Sequence, residues 1–82
     1  MCGIFGYLGK NAAVHAILLH GLERLEYRGY DSAGICVAND HESFIIKAVG
    51  KVSQVSQKVQ NLLSIDKQFT IGIAHTRWAT HG

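Results

Sequence analysis

Ala33-Gly34-Ile35-Cys36-Val37-Ala38-Asn39-Asp40-His41-Glu42-Ser43-Phe44-Ile45-Ile46-Lys47-Ala48-Val49 is the stretch from which the architecture follows. Two apolar runs, 33–38 and 43–49, enclose the polar residues 39–42. Strand formers on either side of a short polar turn predict a β-hairpin, although Asn-Asp is a weaker turn pair than Asn-Gly. Cys36 falls inside the first run and reads as a small core residue. On the N-terminal side, Val14, Ile17, Leu18, Leu22 and Leu25 recur at i, i+3, i+4, i+8 and i+11, with Gly21 on the same face. That period predicts an amphipathic helix. Asn11 is placed to cap its start, and the helix should end near Tyr27, with Gly29 available for a left-handed turn and Arg28 near the negative end of the dipole. Gly21 costs about 1 kcal/mol relative to alanine, which suits close approach to a sheet. His15, His20, Glu23, Arg24 and Glu26 fall off the stripe and read as a solvated face. On the C-terminal side, beyond Gly50-Lys51, Val52, Val55, Val59, Leu62 and Leu63 predict a second, weaker amphipathic helix. The outermost apolar stretches are Ile4–Leu8, closed by Gly9, and Phe69–His75, with Gly72 inside it. Each predicts a strand. The order is β-α-β-β-α-β, an α+β domain filling residues 1–82.

Bulk properties narrow the function classes. The chain is 48% hydrophobic and 17% charged, a globular rather than a disordered profile. Its net charge of +2 comes with no long run of like charge, so no electrostatic footprint for nucleic acid is present. Two cysteines cannot supply a disulfide framework. No secretory signal and no apolar segment of membrane-spanning length, roughly 18 residues, is visible. A reducing cytoplasm is the expected location.

Three stretches concentrate side chains with chemistry: 1–6, 27–34 and 75–82. If Met1 is removed, Cys2 becomes the first residue, with its thiol and a free α-amine on one residue, a nucleophile carrying its own base. Gly3 and Gly6 bracket it with backbone that another strand or a substrate can approach. Tyr27-Arg28-Gly29-Tyr30-Asp31 is readable as a helix cap and turn, which leaves an arginine between two tyrosines unexplained. Arg77, next to Trp78 and just past a strand, suits bidentate capture of a carboxylate, with a surface ion pair as the alternative. His81 could pair with a cysteine. Thr76 and Thr80 could bind substrate or hold the loop. Cys2, His75 and His81 lack metal-ligand spacing, so no metal and no cofactor are expected. A chain ending on so dense a cluster as 75–82 reads as the front part of something longer.

Taken together, MCGIFGYLG at 1–9, LEYRGYDSAGI at 25–35 and GIAHTRWATHG at 72–82 resemble the class II, N-terminal-nucleophile glutamine amidotransferase domain. Within that class they resemble the branch that makes glucosamine 6-phosphate. The resemblance runs from the first residue to the last. It implies a four-layer αββα fold, of which these residues form the N-terminal part. It implies L-glutamine as nitrogen donor, Cys2 as nucleophile, and ammonia delivered to fructose 6-phosphate by isomerase domains lying beyond this chain, in a homo-oligomer. Arg77 matches the clamp on the glutamine α-carboxylate and Trp78 the residue that closes the site. Thr80 and His81 match substrate-pocket positions; Arg28 and Gly3 support the nucleophile. The Asn-Gly pair of the family's oxyanion hole and the acid that reads the α-amine would follow residue 82. A class II amidotransferase with another ammonia acceptor, or an inactive truncated product, is the alternative. The isolated piece is expected to be inactive and poorly folded.

Overall fold

A computed structural model describes residues 3–25, 31–64 and 66–77. Its elements are β1 (Gly3–Ala12), α1 (Val14–Leu25), β2 (Ser32–Ala38), β3 (Ser43–Val49), α2 (Val52–Leu62) and β4 (Phe69–Arg77). The expected β-α-β-β-α-β order is therefore observed. The four strands form one antiparallel sheet in the order β1-β4-β2-β3. β1 and β2 run in one direction with β4 between them, and β3 and β4 run in the other with β2 between them. Each helix thus spans a strand pair separated by one strand.

Both helices cover the same face. Val14, Leu18 and Leu22 of α1 and Val52, Val55 and Val59 of α2 are buried against Ala33, Ile35 and Val37 of β2, Ile46 and Ala48 of β3, and Phe69 and Ala74 of β4. The strand period of two sends the intervening residues to the other face. There Ile4, Leu8, Ile45, Val49, Ile71 and Ile73 are exposed, Leu8 at 82% and Val49 at 80%. One layer of helices and one sheet are present, so the described residues make two layers, with an apolar sheet face left open.

The β2–β3 hairpin falls where the sequence places it. Asn39 Oδ1 accepts from the backbone N–H groups of His41 and Glu42, at 2.8 and 3.0 Å, which supplies the turn that Asn-Gly would otherwise favour. Gly50, at φ +105°, then turns the chain into α2, a conformation that other residues rarely adopt. The glycine stretches mark close approach. A Cβ on Gly21 would lie 1.8 Å from the Phe5 ring of β1, and one on Gly72 would lie 2.6 Å from Val14 of α1.

Several details differ from expectation. β1 does not stop at Gly9: Tyr7 folds over that glycine and donates its hydroxyl to the Lys10 carbonyl at 2.9 Å, and pairing resumes at Ala12 with Phe69 after a register irregularity. Asn11 therefore lies in the strand and does not cap α1, whose first turn closes on the Ala13 carbonyl. β4 runs two residues beyond His75, so Arg77 ends the strand rather than following it. Cys36 is exposed, because it alternates with Ile35 and Val37 onto the open face. His15 is buried at 3% exposure, because α2 packs along that side of α1; Ile17, on the opposite flank, is 42% exposed. His20, Glu23 and Arg24 are exposed as expected. Tyr27, Gly29 and Glu26 lie outside the described residues.

Candidate functional site

At one end of the sheet, three chain segments meet. Gly3 opens β1 opposite Thr76, and Ser32 opens β2 opposite Arg77 and Val49. The C-terminal end of α1 closes over them: Leu25 Cδ1 lies 2.9 Å from where a Cβ on Gly3 would be, and Thr76 Oγ1 lies 3.1 Å from the same point. Gly3 is thus pinned between a helix end and a strand end. Gly6 is likewise approached by a strand, the Gly72 carbonyl standing 3.2 Å from its Cβ position.

Thr76 is 2% exposed, and its Oγ1 accepts a hydrogen bond from the Gly3 N–H at 3.1 Å. A side chain on β4 therefore holds the first described residue of β1. Asp31 joins the same end by its backbone. Its N–H donates to the Arg77 carbonyl at 2.9 Å, and its carbonyl accepts from the Gly50 N–H at 2.9 Å. Its Oδ1 is buried without a hydrogen-bond partner among the described residues. A carboxylate oxygen in that state calls for a donor, since burial without one is costly.

Alternation along β4 divides the site between two faces. Gly72, Ala74 and Thr76 point to the helices; Ile71, Ile73, His75 and Arg77 take the open face. Arg77 is exposed there. His75 crosses Gly34, its Cε1 2.9 Å from the glycine's Cβ position, towards Lys47 on the neighbouring strand. A cleft of about 250 Å³ opens beside them, lined by Ser32, Lys47, Val49, Lys58 and His75 among others. Lys58 Nζ donates to the Lys47 carbonyl at 2.8 Å, which holds a second ammonium at that cleft. The open-face side of this end therefore carries Arg77 and His75 on β4 and Lys47 on β3, across β2, and the two cations suit an anionic group.

Of the residues singled out from sequence, Gly3, His75, Thr76 and Arg77 are brought to this one end. Cys2, Arg28, Trp78, Thr80 and His81 lie outside the described residues. Each belongs to a segment joined directly to it: Cys2 is bonded to Gly3, residues 26–30 link Leu25 to Asp31, and residues 78–82 follow Arg77. Thr76, which the sequence offers for binding substrate or holding the loop, instead turns inward to Gly3, and its place in line with Gly72 and Ala74 is the signal for that inward turn. Asp31 is the feature that the sequence does not mark as part of a site. Asp31 reads as a turn former, and nothing in residue type alone reveals a buried carboxylate oxygen.

No family model matches the chain. Over all 82 residues it is 52% identical to the glutamine–fructose-6-phosphate aminotransferase [isomerizing] of Streptococcus agalactiae, spanning 13% of that protein. It is 55% identical to the protein of the same name from Chlamydia muridarum, again spanning 13%, and 52% identical to that of Thermosynechococcus vestitus, spanning 12%. Among solved structures, a complex of a β-clamp processivity factor and the little finger domain of PolIV matches with a TM-score of 0.64 at 10% identity, covering all of this chain and 92% of that one. At that identity the likeness is one of fold alone.

Proposed function

Because the chain is homologous along its whole length to glutamine–fructose-6-phosphate aminotransferases, of which it spans only 12–13%, we propose that it is the N-terminal part of their glutamine-hydrolysing domain. After removal of Met1, the Cys2 thiol attacks the side-chain amide carbon of L-glutamine. The α-amine of Cys2 takes the thiol proton; with ordinary values of about 7.7–8.0 for such an amine and about 8.5 for a thiol, the transfer is feasible near neutral pH without a histidine. The tetrahedral intermediate expels ammonia, which carries that proton away. Water then hydrolyses the glutamyl thioester and regenerates the thiol. In the longer protein the ammonia passes to fructose 6-phosphate, giving glucosamine 6-phosphate, in a cytoplasmic homo-oligomer.

The observation that supports this reading is the meeting of described parts of the three motif stretches at one sheet end: Gly3, next to the nucleophile; Leu25 and Asp31, on either side of residues 26–30; and Thr76-Arg77, which precede residues 78–82. Arg77, exposed on the open face, is placed to pair with the glutamine α-carboxylate through its planar fork. Trp78 closes over the bound substrate, Thr80 and His81 complete its pocket, and Arg28 supports the nucleophile.

The same reading accounts for the open sheet face. An αββα sandwich needs a second sheet there, and Ile4, Leu8, Ile45, Val49, Ile71 and Ile73 form the apolar layer that such a sheet would cover. The second sheet comes from the remainder of the longer protein, and so do the oxyanion donors. The 82 residues alone have no turnover on this account.

An electrophilic glutamine analogue tests the assignment in the full-length enzyme. Intact mass should show loss of Met1, and peptide mapping should put the label on Cys2. Cys36 is an informative competitor because its thiol is exposed. Label on Cys36, or a retained Met1 in active enzyme, overturns the mechanism.

A further inference from the structure

We propose that Thr76 is a positioning residue for the nucleophile, acting through the Cys2–Gly3 peptide group; this rests on the reading of Cys2 as nucleophile. Once Met1 is removed, Cys2 has no preceding peptide bond. Its one covalent link to the chain is then its bond to Gly3. Partial double-bond character keeps the Cα of Cys2 in one plane with the Gly3 N–H. Whatever holds that N–H orients the plane from which the thiol and the amine both hang.

Thr76 Oγ1 accepts that N–H at 3.1 Å. Thr76 is itself well fixed. It is 2% exposed and sits on β4 between two neighbours, Gly3 on β1 and Ala33 on β2. Its β-branched side chain is stiff about χ1. Leu25 Cδ1 closes the space beside Gly3, so the glycine cannot swing towards the helix and keep the bond.

The next residue on β4 is Arg77, the proposed clamp on the glutamine carboxylate. Alternation sends Thr76 to the helical face and Arg77 to the open face. Two consecutive residues of one strand then set the two ends of the reaction coordinate: one frames the nucleophile and the other frames the substrate. The proton transfer from thiol to α-amine is local to Cys2 and does not need Thr76. The distance from Sγ to the amide carbon does. Loss of the hydroxyl should therefore lower kcat and leave both substrate affinity and intrinsic thiol reactivity in place.

The test uses the full-length enzyme with Thr76→Val, which keeps the shape and removes the hydroxyl. Glutamine hydrolysis should fall about 10–100-fold in kcat, with KM for glutamine changed by less than about threefold. Alkylation of Cys2 by iodoacetamide, which uses no glutamine pocket, should keep the wild-type rate and pH profile. Thr76→Ser should recover most of the loss seen in Thr76→Ala, and this pair carries the test should the valine variant not fold. A wild-type kcat in Thr76→Val, a change confined to KM, an altered alkylation profile, or serine no better than alanine overturns the proposal. Failure of the wild-type enzyme to take a glutamine analogue on Cys2 is a separate result, and it overturns the nucleophile assignment itself.

Discussion

Both ring nitrogens of His15 are buried without a hydrogen-bond partner among the described residues, and the imidazole meets the Phe69 ring edge-on, centroids 5.6 Å apart. Burial pushes its pKa below the ordinary 6.5; the nearby Ser64 backbone favours the proton and offsets this only in part. The folded state therefore resists protonation that the unfolded chain accepts. Unfolded chains bind more protons below about pH 6.5, so stability is full above that value and falls as the pH drops towards the lowered folded pKa. His15→Leu removes two unpaired buried nitrogens and should be neutral to stabilising by about 1 kcal/mol at neutral pH. It should also flatten the loss of stability between neutral pH and about pH 5. Urea midpoints at the two pH values, measured on the folded domain, check both. An unchanged pH slope in the leucine variant would assign the acid sensitivity to another group. The sequence hides this residue for a definite reason. The apolar stripe of α1 defines the face that meets the sheet, but not which flank the second helix will cover, and α2 covers the flank carrying His15 and Leu19 rather than Ile17.

At the scale of elements, α1 and β1 are locked where Gly21 faces Phe5. A Cβ there would stand 1.8 and 2.0 Å from two ring atoms. Alanine would improve helix propensity by about 1 kcal/mol, but the ring must be displaced, and overpacking of this kind costs about 1–3 kcal/mol. Gly21→Ala should be net destabilising, and adding Phe5→Leu should recover much of the loss. A double-mutant cycle on the melting of the domain checks it; independent, additive effects would refute the contact. The elements themselves were legible because period 3.6 and period 2 segments alternate with a short polar turn at 39–42. Their ends were less so. β1 outlasts Gly9 because Tyr7 braces the strand beyond it, and Cys36 leaves the core because a run apolar on both sides looks the same whether one face or two are covered. Gly3, Thr76 and Arg77 carry the legible part of the site: the residue types announced it, while the inward turn of Thr76 and the clamped backbone of Asp31 needed the sheet register.

For the whole molecule, the balance between its two sheet faces decides behaviour. Among the described residues, the helical face holds all fourteen buried apolar side chains of the core cluster, while six large aliphatic residues stand exposed on the other. A solvated apolar face of this extent marks an interaction surface. On the proposed reading, its natural cover is a second sheet of the same longer polypeptide. Expressed alone, the 82 residues should hydrolyse no glutamine and should self-associate through that face. Substituting Leu8 and Ile73, both on the open face, by lysine should shift the isolated chain towards monomer in sedimentation, and should leave the far-ultraviolet dichroism of the α/β layer in place because neither side chain belongs to the core. The same pair in the full-length enzyme should do the opposite. There it should destabilise the glutamine-hydrolysing domain by several kcal/mol, about 2–3 kcal/mol for each lost apolar contact with the added cost of burying an ammonium. A full-length protein that tolerates both lysines without loss of stability would mean that this face is not the interior of a sandwich.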